Sequence, residues 1–74
     1  MGQIRATFRA AKEGDQSAEA LLMKIAAEGD PEAESVILEE VRKVQMTTKF
    51  SFAEAFERVT EANPQLHLAY LNAN

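Results

Sequence analysis

Seventy-four residues without a Cys or a Trp, carrying eight Lys and Arg against twelve Asp and Glu, set narrow limits. A chain this short holds one domain, residues 1–74, with no disulfide framework, no thiolate metal site and no thiol nucleophile. Thirteen of its apolar residues are Ala, which leaves twenty-one larger apolar side chains to build a core and makes an isolated monomer marginal.

The charge is segregated. Residues 1–12 sum to +3 through Arg5, Arg9 and Lys12, residues 13–40 to −8, and residues 41–74 to +1. An acidic middle opposes wrapping by nucleic acid but leaves room for a short basic face.

The apolar spacing predicts five short helices. The first spans roughly 3–13, with Ile4, Phe8 and Ala11 on one side. Gly14 then takes the position of a C-terminal cap with positive φ, and Asp15 can accept from the first N–H groups of the next helix. That helix runs over about 16–28, its apolar side made of Ala18, Leu21, Leu22 and Ile25. Gly29, Asp30 and Pro31 repeat the junction, with Pro at the first helical position. The third helix covers about 31–46 and lines up Ala33, Ile37, Val41 and Val44, widened by Val36 and Leu38. Ser51 and Glu54 form a capping box for the fourth, about 52–62, where Phe52, Ala55, Phe56 and Val59 share a face. Phe50 and Ala55 form a weak hydrophobic staple there. Asn63-Pro64 repeats the Asp30-Pro31 logic and starts the fifth, about 64–72. No segment alternates as a strand does, so the fold expected is all-α, a small bundle of four to five short helices.

Residues 11–19 and 26–34 echo each other at an offset of fifteen. Two copies at that period are too few and too short for a repeat architecture, and the shared letters are those that a helix–Gly–Asp–helix junction prefers. Glu39–Lys43 and Glu54–Arg58 are spaced as i, i+4 ion pairs. Met23, Met46 and the cluster Phe50, Phe52 and Phe56 fit a core or an interface, with core filling the plainer expectation. The last helix is apolar on nearly all sides, with only Gln65 and His67 interrupting Leu66, Leu68, Ala69, Tyr70 and Leu71. Such a helix must be buried on more than one face, either inside the bundle or against another molecule.

Chemistry is sparse. His67 is the only histidine, and no His, Cys or carboxylate stands at metal-ligand spacing from it. Ser17, Ser35 and Ser51 sit at helix starts or on a helix with no recognisable base nearby. The two Glu-Gly-Asp turns lack the alternating carboxylates and terminal bidentate Glu of a calcium loop. No Gly-rich phosphate loop is present. A protein without catalytic residues, cofactor, metal or small-molecule substrate is therefore expected. The opening Met-Gly-Gln-Ile-Arg carries no signal-peptide core and nothing approaches a membrane span, so the expected location is the cytoplasm.

The stretch from Phe50 to Leu71 resembles a segment near the C-terminus of phage and prophage proteins, including Mu-like head protease–scaffold proteins. The matching residues are Ser51, Glu54, Ala55, Val59, Asn63, Pro64, Leu66, Ala69 and Tyr70. The resemblance covers about 22 of the 74 residues. It implies a phage- or prophage-derived gene and a role in head assembly, and it brings no catalytic residues. In physical terms the same segment is a helix–Asn-Pro–helix corner, with Phe56 and Val59 facing Leu66 and Tyr70.

Taken together, these features point to a non-enzymatic protein acting through protein–protein contact, with another protein or with itself. Phe52, Phe56, Leu68, Tyr70 and Leu71 are the expected contact residues. The alternative is a small DNA-binding regulator that presents the helix 1 stripe, Arg5, Arg9 and Lys12, to phosphates. Three cations release only about three counterions, and a solvated stripe paired with the acidic helices is the simpler expectation for them.

Overall fold

A computed structural model describes residues 3–73. They form α1 (Gln3–Lys12), α2 (Gln16–Glu28), α3 (Glu32–Thr47), α4 (Phe52–Ala62) and α5 (Pro64–Asn72), with no strand among them. The all-α bundle expected from the apolar spacing is what the chain adopts, with boundaries within a residue of those expected.

Local chemistry places each boundary. Asp15 caps α2, its side chain accepting from the Ser17 and Ala18 amides at 2.9 and 3.2 Å. Asp30 does the same for α3 by accepting from Glu32 N–H at 2.9 Å, while Pro31 already has helical φ and ψ. Ser51 accepts from Glu54 N–H at 3.2 Å. The reciprocal half of the box does not form, because the Glu54 carboxylate takes the Ser51 hydroxyl instead. Asn63 also departs from the expected cap. Its side-chain amide donates back to Val59 C=O at 2.9 Å and so closes the end of α4, leaving the start of α5 to Pro64, which has no N–H to satisfy.

One hydrophobic cluster draws on all five helices: Ile4 and Phe8, Leu22, Ile25 and Ala26, Ala33, Val36, Ile37 and Val41, Ala55 and Val59, Leu66 and Ala69. α1 packs on α2, α4 on α3, and α5 lies between α2 and α3, so the last helix is part of the core. Its C-terminal turn is tied to the α2–α3 junction. Asp30 N–H donates to Ala69 C=O at 3.1 Å, and the Asn72 side chain donates to Ala26 C=O at 2.8 Å. That second bond satisfies one of the carbonyls a helix end leaves open.

Gly29 makes the tie possible. Its φ of 85° and ψ of 146° suit almost no other residue, and a Cβ there would land on the Asn72 carbonyl. Gly14 has φ 97° but faces open space. The two echoing junctions therefore share their punctuation and differ in what packs on them.

Several expected core positions lie outside. Leu21, Met23, Leu38, Met46 and Phe52 are exposed, Met46 by 80 %. Ala26 takes the place assigned to Leu21 in the core of α2. The physical reason is the width of the buried arc: it is narrower than the apolar stripe of each helix, so flanking apolar residues stay in solvent. Thr7 and Thr60 are buried instead, and Thr60 satisfies its hydroxyl on the Phe56 and Glu57 carbonyls.

Candidate functional site

Two surfaces carry the residues with functional potential. The first lies on α4 and α5. Helix periodicity puts Phe52, Phe56 and Thr60 in one row on α4, and Pro64, Leu68 and Leu71 on the outer side of α5. Leu66 and Ala69 occupy the opposite side of α5, in the core, so the helix divides its apolar residues between the two sides. Phe52, Leu68 and Leu71 remain 53, 45 and 53 % exposed.

Aromatic stacking links the two helices. The Phe52 and Phe56 rings lie 6.1 Å apart and close to parallel, and the edge of His67 meets Phe56 at 6.2 Å and 87°. His67 is thus half-buried as an aromatic spacer. It is the ring partner of Phe56 across the corner. A shallow depression lined by Phe52, Ala53, Phe56, Glu57 and Thr60 continues through Thr60 into one lined by Glu61, Pro64, His67, Leu68 and Leu71. Beyond Leu68 it reaches Met23 of α2. The charged side chains along this α4–α5 depression are Glu57 and Glu61, and neither makes an ion pair among the described residues.

Four of the five expected contact residues meet here: Phe52, Phe56, Leu68 and Leu71. Tyr70 does not. Two residues on from Leu68, it points about 200° away around the helix and packs against the buried cluster. Met23, Thr60, Pro64 and His67 join the surface without having been expected there. The spacing carries the signal for two of them: Thr60 stands four residues after Phe56, and Pro64 four before Leu68. Phe50 also leaves the group, since it packs on the core with the Arg58 guanidinium 4.7 Å above its ring. That contact replaces the expected Glu54–Arg58 pair.

The second surface is the α1 stripe. Arg5 pairs with Glu39 and lies 3.9 Å from Glu32, and Lys12 reaches Glu40 at 3.2 Å with Phe8 beneath its ammonium. Lys43 completes the group, 3.1 Å from the same Glu40 and not on Glu39 as its spacing had predicted. Glu40 sits between two ammonium groups. Burial alone would raise its pKa, but the hydrogen bonds from Lys43 and Lys12, with the charges of both, outweigh that and hold it below the usual carboxylate value. Two of the three cations are thus engaged with the acids of α3, and Arg9 is the exposed member without an ion pair among the described residues. The stripe fastens α1 to α3 and offers phosphates little free charge.

Among the described residues, no group of three or more His, Asp or Glu side chains is placed to hold a metal ion. No helix among them is long and apolar enough to cross a membrane. No family model matches the chain, and no curated protein or solved structure matches it.

Proposed function

We propose that this chain is a small non-enzymatic protein, of phage or prophage origin, that works by protein–protein contact through the α4–α5 face, with a second copy of itself as the partner. The observation that carries this reading is the side-by-side exposure of Phe52, Leu68 and Leu71 around Phe56 and His67. Single exposed apolar residues are ordinary, but a contiguous group with a charged rim is the mark of an interaction surface. Large aromatic and aliphatic anchors are also the side chains that dominate interface energies. A second copy is the occupant the charges favour: the rim is acidic at Glu57 and Glu61, while the C-terminal half of α3 carries the exposed cation Arg42, with Lys49 just past its end. A core this small gains stability from association by mass action. The likeness of residues 50–71 to phage and prophage segments, which spans this same corner, supports the origin and makes head assembly the setting.

The test is the double variant L68E/L71E. Both side chains are half in solvent, so it should keep the helical circular dichroism and thermal transition of the wild type. Sedimentation should show it monomeric at concentrations where the wild type associates. Loss of the helical signal would make the two residues part of the core and end the reading, as would a wild type that stays monomeric at high micromolar concentration.

A further inference from the structure

Resting on that reading, the geometry points to which part of the second copy fills the face: we infer that the outer stripe of α3 from one copy seats on the α4–α5 face of the next, head to tail.

Leu38, Arg42 and Met46 follow each other at four-residue steps along the exposed side of α3, and Lys49 stands exposed in the loop that follows. Leu38 and Met46 are 44 and 80 % exposed. They mark the ends of a row about 12 Å long, the same length as the row from Phe52 to Thr60 that would receive it. Charge matches as well as length. Arg42 and Lys49 make no ion pair among the described residues, and neither do Glu57 and Glu61. The stripe is therefore a helix with apolar anchors and cations alongside, and the face is an apolar groove with carboxylates alongside, the pairing used when a helix docks in a groove.

A face-to-face pairing of two α4–α5 surfaces is disfavoured by the same charges, because it would gather Glu57 and Glu61 of both copies around one apolar patch. The two surfaces share no residue, so one copy can receive a neighbour on α4–α5 while offering α3 to another. A contact between unlike surfaces that is not made reciprocally leaves one of each free on every pair, and it continues into a chain or a ring.

Charge reversal on each side tests this. E57K/E61K makes both surfaces basic and R42E/K49E makes both acidic, and all four residues are exposed. By sedimentation velocity, with circular dichroism to confirm helix content, each variant alone should weaken association about tenfold or more relative to the wild type. An equimolar mixture of the two should restore it, since each copy then meets a partner of opposite charge. If a double variant loses helical signal, E61K and K49E give the same comparison. Wild-type association that stops at a dimer, unchanged by either reversal, would overturn the head-to-tail arrangement while leaving the α4–α5 face as the contact. A mixture that stays dissociated would also overturn it. Persistence of association in L68E/L71E would instead remove the face itself, and the proposed function with it.

Discussion

Gly29 carries a larger share of the fold than its size suggests, because one position meets two demands. The backbone there needs a φ of 85°, and the space where a side chain would begin is taken by the carbonyl of Asn72. Gly29→Ala should therefore destabilise by about 2–4 kcal/mol in urea denaturation, through backbone strain and displacement of the α5 end. Gly14→Ala, with a similar φ but open space around it, should cost only the strain of about 1–2 kcal/mol. Equal losses at the two sites would mean that the Asn72 tie does not hold α5. Glu40 is the other residue with a definite expectation. Its folded pKa lies below its unfolded one, so its contribution is present above the unfolded value of about 4.3 and fades as pH falls through the lower folded value. Glu40→Gln should be less stable than the wild type at neutral pH. The gap should close in acid once both chains carry a neutral side chain there, and a gap that persists in acid would show that packing, not charge, is responsible.

At the scale of elements, α5 shows how one apolar helix serves two purposes. Leu66 is 1 % exposed and Leu68 45 %, two residues apart. Leu66→Ala should cost about 2–5 kcal/mol, enough to unfold much of so small a domain, whereas Leu68→Ala should move stability by about 0.5 kcal/mol or less in the monomer. Similar losses for the two would contradict the division of the helix into inner and outer sides. All five helices were legible in the residues, because caps and apolar spacing are local chemistry: Asp15, Asp30 and Ser51 start helices where their side chains can accept. Which apolar residues face inward was legible only in part. Period alone cannot say how wide the buried arc is, and so Leu21, Leu38 and Phe52 read as core although the bundle has no layer to cover them. Pairing of the α1 stripe with acidic helices was legible, but the particular partners were not. Lys43 takes Glu40 and not Glu39, and Asn63 turned its amide back to α4 because Pro64 had already removed one donor from α5. For the candidate site, the sequence named Leu68 and Leu71 through the excess of apolar side chains in the last helix, and Phe52 and Phe56 through the Phe-rich start of α4. Tyr70 was grouped with them and instead packs against the buried cluster, since that excess does not say which side is outside.

At the scale of the whole molecule, the two charged systems have separate tasks. Arg5 and Lys12 reach across to acids of α3 and hold α1 in place, with Lys43 sharing Glu40 from within α3, while Glu57, Glu61, Arg42 and Lys49 make no ion pair among the described residues. In the proposed self-association, the balance between monomer and assembly depends on concentration. The outer charges should make that balance sensitive to ionic strength, whereas the buried cluster should not respond to it. Sedimentation velocity of the wild type at low and high micromolar concentration addresses this most directly. The average mass should rise well above the 8.2 kDa of one chain as concentration increases. A single 8.2 kDa species at both concentrations would contradict the account.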